Sequence, residues 1–205
     1  MSKKSEHWDA IYGSRSSSSV SWYQRDPTVS LRLITANSSI ESSVIDVGAG
    51  ASLLVDRLIT IGYGDVTLLD VSAAALSEVI ARLGESADRV SRVVGDVLSW
   101  RPERTYDVWH DRAVFHFLTC PDDQARYVGV AASALGTGAK LVIGVFADDG
   151  PTECSGLDVQ RFRADDLERL FGDFFTMEFD ERERHVTPGG VSQSFIWAVL
   201  RRKGS

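Results

Sequence analysis

The sequence predicts an α/β protein: a doubly wound sheet of seven strands, mostly parallel, with one antiparallel strand supplied by a C-terminal hairpin. Three observations carry this expectation. From residue 43 onward, short β-branched runs alternate with longer helical patterns, and strand–helix–strand repetition builds a parallel sheet covered on both faces. The last two runs are long and are joined by Thr187-Pro188-Gly189-Gly190, a hairpin signal where every earlier connection is a crossover. The composition is that of an ordinary globular domain, because 205 residues with 43% hydrophobic and 25% charged side chains suffice for one full-sized core and would be cramped as two domains.

Taken in order, strands are expected at residues 43–47, 65–70, 90–95, 106–110, 140–146, 176–186 and 191–201. Between them, residues 53–61 place Leu53, Leu54, Leu58 and Ile61 on an apolar stripe of helical spacing. Residues 73–83 follow Ser72, a residue type that caps helices, and residues 121–135 and 164–171 complete the helical set. Before residue 43 the character changes. Residues 16–19 are four serines lying between the aromatic pairs Trp8/Tyr12 and Trp22/Tyr23. A serine run buries little, whereas two Trp and two Tyr so close together do not suit a disordered tail. The expected organisation is one domain over residues 1–205, with a core over 43–201. Residues 1–30 form an N-terminal lid whose aromatic ends dock on the body while the serines supply slack.

Charge and composition narrow the function. Twenty-two Lys and Arg against 29 Asp and Glu give a net charge of -7, which disfavours a surface built for nucleic acid. Apolar runs are short, residues 141–147 being typical, so no membrane span is expected, and the N-terminus lacks the apolar region of a secretory signal. A cytoplasmic protein is the expectation. Cys120 and Cys154 are too few for a disulfide framework, and no metal-ligand spacing is visible.

One constellation points to chemistry. Asp46-Val47-Gly48-Ala49-Gly50 ends the first strand in a glycine turn that opens a helix, where the backbone can approach a nucleotide and unpaired N–H groups are on offer. Leu53 stands where a dinucleotide fingerprint wants its third glycine. Asp70 ends the second strand, 20 residues beyond Gly50, in position to accept from ribose hydroxyls. Asp96 ends the third strand, where a carboxylate can accept from an exocyclic amine while Val97 walls the base. Three strand ends thus converge on one nucleoside.

In that order, and with the terminal hairpin, the chain resembles the class I S-adenosylmethionine-dependent methyltransferases, which are Rossmann-like. Trp8-Asp9-x-x-Tyr12, Trp22-Tyr23 and Asp111-Arg112-Ala113-Val114-Phe115 are similar to a branch that includes lysine methyltransferases of elongation factor 1A and citrate synthase. That branch usually has Lys and Gly where this chain has Arg112 and Ala113. The resemblance implies that Asp46 and the Gly48/Gly50 turn hold the methionine moiety, Asp70 the ribose and Asp96 the adenine amine. Trp22, Ala49, Val71, Val97 and Asp111 complete the cofactor set. It implies S-adenosyl-L-methionine as cofactor, S-adenosyl-L-homocysteine as product, and an N, O or S acceptor on a protein lysine or a small molecule. The acceptor pocket is expected at the end of the fourth strand, with Asp111, His110 and His116 as catalytic candidates. A carboxylate there could orient an amine, and a histidine could serve as general base near neutral pH or simply pack. Two other classes stay open: a nicotinamide-dependent oxidoreductase, which the missing glycine and the antiparallel strand disfavour, and a catalytically silent nucleoside-binding module.

Overall fold

The computed structural model describes residues 3–14 and 20–204. Two helices, α1 (Lys3–Ser14) and α2 (Thr28–Ala36), precede β1 (Val44–Val47). Then follow α3 (Leu54–Ile61), β2 (Val66–Asp70), α4 (Ala73–Leu83), β3 (Val90–Val94) and β4 (Tyr106–Arg112). After a 3₁₀ turn (Phe115–Phe117) come α5 (Pro121–Ala134), β5 (Leu135–Phe146) and a small hairpin of β6 (Glu153–Cys154) and β7 (Leu157–Asp158). The chain ends with α6 (Ala164–Phe171), β8 (Phe175–Val186) and β9 (Ser192–Arg202).

Seven strands form one sheet in the order β3-β2-β1-β4-β5-β9-β8. The pairs from β3 to β5 are parallel, and β9 runs antiparallel to both β5 and β8. The expected fold class is therefore the observed one. Every residue of β1 and β2 is buried, as central strands covered on both faces require. The hairpin turn closes where expected: Thr187 N donates to Val191 O at 2.9 Å, Val191 N donates to Thr187 Oγ1 at 3.0 Å, and Gly190 takes φ 81°.

Strand alternation divides the core. On one face Ile45, Trp109, Leu141 and Ile143 meet Tyr127 of α5 and Phe171 of α6. On the other, Val44, Val108, Val142 and Trp197 meet Leu58 of α3 and Leu33 of α2. The element bounds depart from expectation in three places that matter. β4 runs two residues further, to Arg112, because Arg112 still pairs with Gly144. β5 starts at Leu135, directly at the end of α5, rather than at residue 140. Helices α1 and α2 occupy stretches to which the sequence assigned no helix, and the serine run expected to give slack lies outside the described residues.

Candidate functional site

The C-terminal ends of β1, β2, β3 and β4 open on one side of the sheet, and a cleft of about 870 Å³, counting its open mouth, lies there. That is where open α/β sheets bind ligands. Gly48, Leu69, Asp70, Gly95 and Asp96 line its strand-end side, and Val71, Val97, Val114 and Leu118 give apolar walls. Trp8 and Tyr12 of α1, with Trp22, close it from above.

The glycine turn is shaped by its neighbours. Gly48 and Gly50 both have positive φ, 65° and 51°. A Cβ on Gly48 would collide with Val114, and one on Gly50 with the Tyr12 hydroxyl, so both positions need glycine twice over, for the dihedral and for space. Gly50 is thus covered by α1 rather than lining the cleft. Gly95 is different: a Cβ there would meet nothing within 4 Å, which leaves the strand-end side open for a planar group.

Asp70 ties the turn to the next helix. Its Oδ2 accepts from Gly50 N at 2.8 Å and its Oδ1 from Ser72 N at 2.7 Å, each oxygen keeping a second lone pair. Burial pushes its pKa up to about 6 against the pull of those two N–H donors, and the charges of Asp46 and Asp9 push the same way. Asp9 of α1 reaches the same junction, where its carboxylate accepts from Ser72 Oγ at 2.6 Å while Ser72 Oγ caps α4 by accepting from Ala75 N. Asp96 lines the cleft, with Oδ1 accepting from Leu98 N at 3.0 Å.

A smaller recess of about 550 Å³ adjoins the cleft and shares Tyr12, Trp22, Gly48 and Arg112 with it. Asp46, Ala49 and His110 line this recess. His110 is 3% exposed and clamped: Nδ1 meets Asp46 Oδ1 at 2.7 Å, Nε2 meets Ser30 Oγ at 3.0 Å, and the ring stacks on Trp197. It joins α2, β1 and β4 as a positioning contact, the packed alternative to a general base that the sequence left open.

The other two catalytic candidates, Asp111 and His116, also lie outside the cleft lining. Asp111 has no exposed surface and does not reach the cleft. Alternation along β4 turns it to the α5 face, where it accepts from Val114 N at 2.9 Å, Phe115 N at 3.1 Å and the Tyr127 hydroxyl. It therefore pins the 3₁₀ turn and presents no surface to the cleft. Burial lifts its pKa to about 6 and keeps the Tyr127 phenol protonated. His116 is fully buried between Phe117 and Phe146, and burial, helped by the Arg112 charge, pulls its pKa down to about 3. Its imidazole stays neutral at physiological pH, which fits the packed reading the sequence left open and not that of a general base.

Four lining residues whose side chains carry N, O or S atoms lie outside the candidate residues. Trp8 and Tyr12 were read only as lid aromatics, although their i, i+4 spacing is that of one helix face. Arg112 and Cys154 also line the cleft. Arg112 follows Asp111, so strand alternation alone sends it to the opposite face, and Ala113 at φ 70° then breaks the strand beside it.

Residues 44–138 match the family model described as a methyltransferase domain. Over 147 residues the chain is 24% identical to malonyl-[acyl-carrier protein] O-methyltransferase 1 of Ilyobacter polytropus, covering 71% of this chain and 53% of that protein. The chain thus spans about half the length of this curated relative. A solved structure from work on the conversion of a disulfide bond into a thioacetal group during echinomycin biosynthesis shares the fold. It has a TM-score of 0.77 at 22% identity over 97% of this chain and 93% of that one. So does the 1,6-didemethyltoxoflavin-N1-methyltransferase of Burkholderia thailandensis with bound S-adenosylhomocysteine, at TM-score 0.72 and 19% identity over 98% of this chain and 84% of that one. Fold and cleft define the class I methyltransferase architecture. Residues 44–138 thus resemble a methyltransferase domain, and the whole chain shares the fold of these solved structures.

Proposed function

We propose that this domain transfers a methyl group to a nucleophilic N, O or S atom of a small acceptor held in the cleft beside the cofactor. The observation that carries the reading is the convergence of Asp70, Asp96 and the Gly48 turn on a cleft that extends to Arg112 and Cys154. Bound S-adenosylmethionine supplies a sulfonium methyl that leaves by in-line displacement. In this reading Asp70 accepts from the ribose hydroxyls with its remaining lone pairs, and Asp96 accepts from the adenine amine beside Val71 and Val97. The recess at Asp46 and Ala49 takes the methionine end. Trp8 and Trp22 exclude water over the reacting atoms.

Proximity does most of the work in such a transfer. Among the described residues the titratable lining is Tyr12, Asp70, Asp96, Arg112 and Cys154. Burial keeps Tyr12 and Cys154 protonated. The site therefore suits an acceptor that arrives with its lone pair free, such as a carboxylate, thiolate or uncharged amine. A protein lysine, which the resemblance in the sequence suggested, would bring an ammonium toward the fixed positive charge of Arg112. The small-molecule reading is preferred on that ground. Incubation with methyl-labelled S-adenosylmethionine and a cell extract, followed by size separation, tests it. Label in the small-molecule fraction is the expected result. Label confined to protein would replace the reading with the lysine one, and no transfer despite cofactor binding would leave a silent module.

A further inference from the structure

Arg112 leaves the end of β4 and lays its guanidinium over the Phe195 ring of β9, 4.7 Å from the centroid. Nη1 donates to the Trp22 carbonyl at 2.9 Å. The ring contact and this bond fix the guanidinium plane. Nε and Nη2 are shielded from solvent and have no hydrogen-bond partner among the described residues. These are the two nitrogens whose N–H bonds run side by side along one edge of the group, the edge that grips both oxygens of a carboxylate.

The surrounding groups do not fill that edge. Glu183 accepts from Gln24 Nε2 at 3.0 Å and from Trp197 Nε1 at 2.7 Å, so it acts on Arg112 only through space. Cys154 is a buried thiol whose pKa is raised, hence uncharged. His185 has Nε2 on the Ser21 carbonyl at 2.9 Å, and burial and the Arg112 charge lower its pKa. His116 is neutral for the same two reasons. Desolvation brings Arg112 down to about 10, which still leaves it cationic. A buried cation with two idle donors is costly unless an anion completes it.

We propose that Arg112 recognises the acceptor: the acceptor bears a carboxylate that docks on the Nε/Nη2 edge, with a planar apolar body against Trp8, Trp22 and Phe117. Those three rings meet edge to face, Trp8 lying 5.6 Å from Trp22 and 5.4 Å from Phe117, and offer faces and edges to such a body. The inference rests on the methyl-transfer reading of the same cleft and adds the substrate class.

Calorimetric titration of benzoate, and of its uncharged isostere benzamide, into the whole chain tests it, with and without S-adenosylhomocysteine. Saturable binding of benzoate about tenfold or more tighter than benzamide is expected, as a charge-assisted pair requires. Arg112→Met should abolish the preference, and Arg112→Lys, which keeps the charge and loses the planar edge, should retain only part of it. Equal binding of the two probes by the unsubstituted protein, or no binding of either, overturns the proposal without recourse to a variant. The proposal also fails if Arg112→Met weakens S-adenosylhomocysteine about tenfold while sparing 5′-methylthioadenosine, which lacks the methionine carboxylate, because the edge would then belong to the cofactor. A chain that binds no S-adenosylhomocysteine, yet prefers benzoate, would strike the methyl-transfer reading and leave the carboxylate edge standing.

Discussion

Asp70 shows what burial does to a carboxylate that is proposed to hold a ribose. Its proton is held more firmly in the folded chain, where the pKa is about 6, than in the unfolded one, where it is near 3.8. Stability contributed by this group is therefore highest below the lower value and falls as pH rises through that window. Hydroxyl donors from a ribose favour the ionised form, so cofactor binding draws the proton off. Affinity for S-adenosylhomocysteine should then strengthen as pH rises from about 5 to about 7, and Asp70→Asn should flatten the dependence in calorimetry. Asp70→Ala should weaken binding by about 1–3 kcal/mol and also loosen the Gly50 turn it holds. Asp111 gives the opposite lesson. Its place at a strand end suggested a site, but period-two alternation puts it on the face of Trp109 and sends Arg112 the other way. Asp111→Asn should cost about 1–3 kcal/mol of stability, read as a lower urea midpoint, because the amide NH₂ that replaces one oxygen cannot accept from the N–H it faces, Val114 or Phe115. S-adenosylhomocysteine affinity at temperatures where the variant is folded should hardly change.

At the scale of elements, α1 is the piece that makes the cleft a chamber. Its Asp9 shares the cap of α4, its Trp8 meets Trp22 and Phe117, and its Tyr12 hydroxyl fills the space that a Gly50 side chain would claim. Gly50→Ala should displace α1 as well as strain the turn, weakening cofactor retention. Adding Tyr12→Phe should restore part of the loss, since the hydroxyl is the first atom in the way, and the coupling can be measured by a double-mutant cycle. Removal of residues 1–24 should weaken cofactor retention and slow transfer with the sheet still folded. Cofactor should also slow amide exchange in α1. The strands were legible because β-branched runs and turn residues mark them, and α4 was placed to the residue behind its Ser72 cap. α2 was not, because it spans only nine residues behind Pro27, with no side-chain cap to announce it. α1 carries few apolar residues beyond its aromatics, so it owes its place to docking, which no local pattern encodes.

For the whole molecule, the hairpin was readable from four turn residues, but the insertion of β9 between β5 and β8 is what couples the sheet's far edge to the site. Trp197 of β9 lies across Gly144 of β5, where any Cβ would sit 2.8 Å from the indole. The same indole stacks on His110 and donates to Glu183. Gly144→Ala should cost about 1–3 kcal/mol by overpacking, and the shift should be felt at His110, so urea denaturation and the His110 imidazole resonances should respond together. The sheet order also has a consequence for the order of events in synthesis. β8 is made before β9, yet among the described residues β9 is its one hydrogen-bonded neighbour in the sheet. While the ribosome is still translating residues 192–202, β8 has no strand to pair with, and the Phe195 platform under Arg112 does not yet exist. The half of the sheet from β3 to β4 can condense early on the nascent chain, whereas the far edge and the Arg112 platform must wait until β9 has emerged.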